Sequence, residues 1–339
     1  MNGSALAKPA QPLLTLDGLA VSYRSKRGPR ASRDIRAVDG VSFSLGTGEI
    51  LALVGESGCG KTSIVRAVAH LERPAGGRVL FLGESVGDAR GQALRRLRRD
   101  IQVVFQDPFE SLDPRLTAFD TVAESLLVHR LGGPRDARRD RVLAMLEQVG
   151  LHPADAIARR YPHQLSGGQR QRLVIAGAMV LGPKLLIADE PVSMLDVSLR
   201  AGILRLMLDL RDARGVSILF VTHDLSLAWV VADRVAVVYL GRIVEIGAAD
   251  DVIRAPLHPY TRALVSVIPV PETGGRRERI LLRGEAPSAS RIPVGCRFHP
   301  RCPLYRSLGG PEQCRAEDPV LADLDGGHAV ACHFAKEAS

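Results

Sequence analysis

The segment Gly55-Glu56-Ser57-Gly58-Cys59-Gly60-Lys61-Thr62 fits the pattern G-x-x-x-x-G-K-[ST] at every fixed position. Its flanks matter as much as the loop. Ile50–Val54 is an apolar run that reads as a buried strand, and Lys61–Leu71 reads as a helix. A strand leading straight through glycines into a helix belongs to an α/β fold. The glycines let the backbone wrap phosphates and aim its N–H groups at them, and the helix N-terminus adds a favourable dipole. Lys61 is expected to reach the β- and γ-phosphates of a nucleoside triphosphate, and the Thr62 hydroxyl to hold Mg²⁺. Ser63 is counted with the phosphate-binding residues. Cys59 reads as a small filler of the loop rather than a nucleophile.

With 339 residues and 46% hydrophobic composition, the chain can build a large α/β domain and an appendage. From Leu13 to Ala255 short apolar strands alternate with helical stretches. Strands are expected at Leu14–Tyr23, Val38–Leu45, Ile50–Val54, Arg78–Leu82, Ile101–Phe105, Leu185–Ala188, Ile218–Val221, Val235–Tyr239 and Arg242–Ile246. Residues 107–180 lack strand runs and read as a helical subdomain inserted in the core. Residues 1–12 read as a flexible tail. After Ala255, Pro256, Pro259, Pro269, Pro271, Pro287 and Pro293 break up regular structure, so 256–339 is expected to be an irregular C-terminal extension.

No run is long enough to span a bilayer, and Met1–Pro12 has no apolar signal core. The expectation is a chain that is not secreted and reaches a membrane only through a partner. The formal net charge of +8 is spread along the chain. Its densest run, Arg95-Arg96-Leu97-Arg98-Arg99, reads as a solvated helix face, so the charge does not argue for nucleic acid. Five unevenly placed cysteines exclude a small disulfide scaffold.

Other residues carry chemistry. Leu185-Leu186-Ile187-Ala188-Asp189-Glu190 is an apolar strand ending in two acids. Asp189 suits a carboxylate that helps hold Mg²⁺, and Glu190 a general base for an attacking water. His223 follows another core strand, where it can contact a γ-phosphate and steady Glu190. Tyr23 ends the first strand; it either packs in the core or stacks on adenine. Ser166-Gly167-Gly168-Gln169 opens an expected helix, Gln169–Val180. Ser at a helix N-terminus suits an anion, but this segment lies too far along the chain to share the phosphates of Lys61.

The ordered set Tyr23, Gly55–Thr62, Gln106, Leu165–Gln169, Asp189–Glu190, Asp196 and His223 resembles the ATP-binding cassette family. The resemblance covers residues 13–270 and extends into the tail. Phe105-Gln106-Asp107-Pro108-Phe109-Glu110-Ser111-Leu112-Asp113-Pro114-Arg115 and His258-Pro259-Tyr260-Thr261-Arg262-Ala263-Leu264 are similar to segments of dipeptide and oligopeptide importer ATPases. The resemblance implies a RecA-like P-loop core with an antiparallel β subdomain and an inserted helical subdomain. It implies ATP hydrolysis with Mg²⁺ coupled to transport, Gln106 as a sensor of γ-phosphate and Mg²⁺, and Ser166–Gln169 facing the γ-phosphate of another subunit. Pro191–Asp196 would let the two sites communicate. The implied partners are two transmembrane permeases, a second related ATPase (a heterodimer, with a homodimer as the alternative) and, indirectly, an extracytoplasmic substrate-binding protein. The implied location is the cytoplasmic face of the inner membrane. Met194 replaces the commoner Ala, and Gly177 stands where Arg is usual. An importer of nickel or another solute is the runner-up. A nucleic-acid ATPase fits poorly, because no long coiled-coil insertion and only one cassette are present.

Cys296, Cys302, Cys314 and Cys332 follow the spacing C-x5-C-x11-C-x17-C. Some members of the family hold a 4Fe–4S cluster in this region. The spacing alone leaves Fe–S, zinc and no metal open, with His299, His328 and His333 as substitute ligands.

Overall fold

The computed structural model describes residues 11–24, 34–268 and 279–338, apart from 283, 286, 289 and 325. Most of the expected tail 1–12, with Pro269 and Pro271, lies outside the described residues. The strands are β1 (Leu14–Arg24), β2 (Asp34–Leu45), β3 (Ile50–Val54), β4 (Gly76–Phe81), β5 (Glu84–Ser85), β6 (Ile101–Val104), β7 (Leu185–Asp189), β8 (Ser217–Thr222), β9 (Arg234–Tyr239), β10 (Arg242–Ala248), β11 (Ala322–Asp323) and β12 (Ala329–Val330). The helices are α1 (Lys61–Val68), α2 (Gly91–Asp100), α3 (Pro108–Ser111), α4 (Ala118–Val128), α5 (Arg135–Gln148), α6 (Ala154–Ala158), α7 (Gly167–Met179), α8 (Val197–Arg214), α9 (Leu225–Val231), α10 (Ala249–Arg254), α11 (Pro259–Val265), α12 (Pro303–Ser307) and α13 (Glu312–Ala316).

Two sheets form. One is antiparallel, in the order β2-β1-β4-β5; the other runs β11-β12-β10-β9-β3-β8-β7-β6. Within the second, β9, β3, β8, β7 and β6 are parallel. Parallel strands covered on both faces must be apolar throughout, and every residue of β3 and β7 is buried. Strand alternation divides them between two cores. Ile50, Ala52 and Val54 join the cluster that includes the helices between β6 and β7. Leu51 and Leu53 face the cluster made with α1 and the antiparallel sheet. Because the parallel strands end on one side, their carboxyl ends present Gly55, Asp189 and His223 along one edge.

Between β6 and β7 the described residues hold only helices and a short 3₁₀ turn at Pro162–Gln164. Their apolar faces pack together: Val122, Ala123 and Leu126 of α4 share one core with Leu146 of α5 and Leu173 and Ala176 of α7. None of the residues of α2 is buried, as its arginine run leads one to expect.

The extension departs from the expectation of irregular structure: prolines open the short helices α11 and α12 rather than break them, α13 follows, and two short strands form. Its last two strands lengthen the core sheet: Glu245 and Ile246 of β10 pair with Val330 and Ala329 of β12. Glu245 explains the attachment. Its fully buried carboxylate accepts N–H bonds from Leu257 and His258, each 2.8 Å, and is bonded to His328 Nε2 at 2.8 Å. Buried polar groups must be paired, and here the partners come from beyond the core. Phe298 adds an apolar anchor, with its ring centroid 5.2 Å from Tyr239 and 5.4 Å from Tyr260.

Candidate functional site

The phosphate loop takes a shape that only glycines allow at three positions. Gly58 and Gly60 have φ of 79° and 108°, in the left-handed region. A Cβ at Gly55 would lie 2.2 Å from the Val238 carbonyl oxygen, and one at Gly60 2.3 Å from that of Ala37. Lys61 is buried at the start of α1. Its Nζ donates to the carbonyls of Gly55 at 2.7 Å and Glu56 at 3.0 Å, and lies 3.7 Å from Cys59 Sγ. Cys59 is buried, and burial raises its thiol pKa. That environment suits a filler and disfavours a nucleophilic thiolate. Ser57 is exposed at the loop's tip.

Asp189 lies beside the start of α1, with a side-chain hydrogen bond to Thr62. Burial foremost, then the charge of Glu190, raises its carboxyl pKa. Two adjacent acids with one buried form a set that a divalent cation would relieve. Thr62, Gln106 and Asp189 line one cleft of about 820 Å³, which Asp107, Glu110 and Met194 also border. Thus the three residues expected to touch Mg²⁺ share a cavity.

Glu190 carries φ of 49°, unusual for a residue with a side chain. Its N–H donates to the Val221 carbonyl at 2.9 Å, which ties the turn to β8. His223 Nδ1 lies 3.2 Å from Glu190 Oε2, with His223 mostly exposed. Tyr23 Oη bonds to Ser63 Oγ at 3.2 Å, so the ring stands against α1.

Ser166 caps α7 with its own reciprocal box. Gln169 N–H donates to Ser166 Oγ at 3.3 Å, and Ser166 N–H to Gln169 Oε1 at 3.0 Å. Ser166 is exposed, Gly167 and Gln169 are half-buried, and Gly168 is buried. A Cβ at Gly168 would meet the Leu199 side chain at 3.4 Å. Asp196 is exposed at the N-terminus of α8. Among the described residues no hydrogen bond joins 166–169 to 55–62.

In the extension, Cys296 N–H donates to the Cys314 carbonyl at 2.9 Å. Burial pushes the Cys296 thiol up to about 12 and Cys332 up to about 11, with neighbouring thiols adding to both shifts. The four cysteines therefore sit in one lobe. Among the described residues, however, no group of three or more His, Cys, Asp or Glu is arranged to hold a metal ion. The expected substitute ligands have other partners: His299 Nδ1 bonds to the Cys296 carbonyl, His328 to Glu245, and His333 Nε2 to the Glu317 carbonyl.

Sequence reasoning missed two residues next to the loop. Tyr260 Oη accepts the Glu56 N–H at 3.0 Å, and Arg301 forks onto the Glu56 carboxylate at 2.9 and 3.1 Å. Both are distant in sequence, and no local pattern announces the pairing.

Comparison with known proteins agrees with this arrangement. Residues 38–193 match the family model described as ABC transporter, and 244–307 match the one described as Oligopeptide/dipeptide transporter, C-terminal region. The chain is 45% identical to the oligopeptide transport ATP-binding protein AppF of Bacillus subtilis (strain 168), covering 92% of this chain and 93% of that protein. It is 44% identical to the di/tripeptide transport ATP-binding protein DppF of Pseudomonas aeruginosa (strain UCBPP-PA14), covering 96% and 99%. Among solved structures, the ATP-binding cassette MJ0796, a dimer bound to ADP and Pi, superposes with a TM-score of 0.62 at 29% identity, covering 70% of this chain and 98% of that one. CbiO1 from Clostridium perfringens gives a TM-score of 0.63 at 28% identity, covering 72% and 91%.

Proposed function

The chain belongs to the ATP-binding proteins of ABC peptide importers, and we propose on that footing that it binds and hydrolyses ATP to power import of di- or oligopeptides. The observation that carries the mechanism is the meeting of Lys61, Thr62, Asp189, Glu190 and His223 at the carboxyl ends of β3, β7 and β8. Backbone N–H groups of Gly58–Thr62 and the Lys61 ammonium hold the phosphates. Tyr23 stacks on the adenine. Thr62, Gln106 and Asp189 are the residues that would hold Mg²⁺, which when bound supplies positive charge to the phosphate oxygens. Glu190 accepts a proton from the attacking water, and His223 steadies Glu190 and contacts the γ-phosphate. Ser166–Gln169 completes the site of a neighbouring cassette, and Asp196 lies on the path between the two sites.

Among the described residues no helix is long and apolar enough to cross a membrane. By its likeness to the ATP-binding proteins of peptide importers, the proposed assembly includes two permease subunits, a second related ATPase and an extracytoplasmic binding protein. This chain sits peripherally on the cytoplasmic face of the inner membrane. The test is reconstitution with the neighbouring permeases and binding protein in vesicles. Peptides of two to several residues should stimulate hydrolysis and accumulate. Stimulation by nickel but by no peptide would favour the solute-importer reading instead.

For the extension we propose that Cys296, Cys302, Cys314 and Cys332 hold a 4Fe–4S cluster. Support comes from the donor chemistry and from the gathering of four thiols in one lobe, with the chain closed by the Cys296–Cys314 backbone bond. The cluster would cross-link a lobe whose regular structure is short. Protein purified anaerobically from its own host should contain iron, and Cys302→Ser should lose it while ATP binding survives. Zinc in place of iron would support the zinc reading, and a metal-free protein would remove both.

A further inference from the structure

We infer that Arg301 is a positioning residue for the phosphate loop, through which the cysteine-bearing extension sets how firmly Lys61 is held for nucleotide. The inference rests on the reading of Gly55–Thr62 as the triphosphate site.

Glu56 is the junction. Its carbonyl accepts from Lys61 Nζ at 3.0 Å, and its N–H donates to Tyr260 Oη at 3.0 Å. Its carboxylate receives both arms of Arg301, at 2.9 and 3.1 Å. Two of these three tethers come from beyond residue 255. Nearby, Gly58 and Gly60 adopt left-handed backbone. A loop rich in glycine has much freedom to lose, so it needs outside contacts to hold one shape. The Arg301 fork is a strong contact of this kind. The side chain is 9% exposed, and its guanidinium lies 6.0 Å from the centroid of the Tyr239 ring. A bidentate pair between charged groups fixes angle as well as distance.

Arg301 immediately precedes Cys302, and a second clamp sits beside Cys296. Arg297 donates to the Leu240 carbonyl at 2.6 Å and pairs with the Asp39 carboxylate. Gly241 N–H in turn donates to the Cys59 carbonyl at 2.8 Å, and Asp39 N–H to the Gly241 carbonyl at 2.9 Å. The segment between two cysteines therefore grips the loop at Glu56 directly and at Cys59 through the turn after β9. Any chemistry at those thiols that moves the segment would reach the acceptors of Lys61.

The test uses the full chain and a fluorescent ATP analogue. Binding is titrated beside the thermal unfolding midpoint, and amide exchange of residues 296–302 is followed with and without nucleotide. Arg301→Ala should weaken binding about tenfold, as expected for loss of a charged hydrogen-bond pair. Arg301→Lys and Glu56→Gln should fall between it and wild type. Coupling is reciprocal, so nucleotide should slow exchange at 296–302 in wild type and much less in Arg301→Ala. A purely structural role would lower the midpoint and leave affinity and exchange as in wild type, which would overturn the inference. Should Arg301→Ala fail to fold, Glu56→Gln decides from the loop side. Lys61→Ala separates this inference from its premise. Loss of binding there, with wild-type binding in the other variants, overturns the positioning role alone. Wild-type binding in Lys61→Ala overturns the site reading and the positioning role together.

Discussion

The phosphate loop and the Ser166–Gln169 segment are both glycine-containing approaches to a helix, and they are finished in opposite ways. The loop before α1 is tied down by its own chain on several sides: Lys61 bonds back into it, and Tyr260 and Arg301 hold Glu56. The start of α7 is closed by its own Ser166–Gln169 box, and Ser166 remains exposed. A tethered anion site with a buried lysine can bind nucleotide within one chain. An exposed, self-capped helix start is preorganised for an anion that another molecule brings. The difference is the one the proposed mechanism requires, in which one chain binds ATP and a second cassette completes the site for hydrolysis.

The largest effect should come from the acids beside the first site. Glu190→Gln is expected to keep nucleotide binding and to cut turnover by about 10²–10⁴, while trapping an ATP-bound dimer. Phosphate release together with light scattering checks both. Near-normal turnover would remove Glu190 as the base and blur the contrast between binding and hydrolysis.

A smaller effect compares the glycines of the two segments. Gly55→Ala puts a methyl group against the backbone oxygen of Val238, so an overpacking loss of about 1–3 kcal/mol is expected in urea unfolding. Gly168→Ala meets only the Leu199 side chain, which can give way. Its loss should stay below about 1 kcal/mol. Equal losses would mean that the second segment is as tightly built as the first. The loss in Ser166→Ala, which removes the acceptor of the cap, should fall between those two. Stability should fall by about 1 kcal/mol, with monomer nucleotide affinity unchanged.

Much of this was legible in the sequence, because the information is local. β3 matches the apolar run Ile50–Val54, and β7 and β8 extend the expected strands by a residue or two. Apolar runs bounded by glycine and charge mark buried parallel strands, and the loop motif sets its own context. Edges were less legible. β2 begins at Asp34 rather than Val38, and α1 stops at Val68, just before left-handed His70. Polar residues at element ends carry no periodicity. The two-residue strands β11 and β12 are too short for any periodic signal. Their place in the core sheet depends on Glu245 meeting His328, a pairing of distant residues. The grip of Arg301 on Glu56 was hidden for the same reason, since the two residues lie 245 positions apart in sequence.

The claim that two separate anion sites share one chain is tested most directly by titrating nucleotide into isolated Ser166→Arg and Lys61→Ala proteins. Hydrolysis is then assayed after each is assembled into the transporter. The expected result is wild-type affinity in the Ser166→Arg monomer, loss of binding in Lys61→Ala, and loss of hydrolysis in both assemblies. If the Ser166→Arg monomer loses binding as Lys61→Ala does, while remaining folded, Ser166 and Lys61 serve the same nucleotide within one chain and the account is wrong.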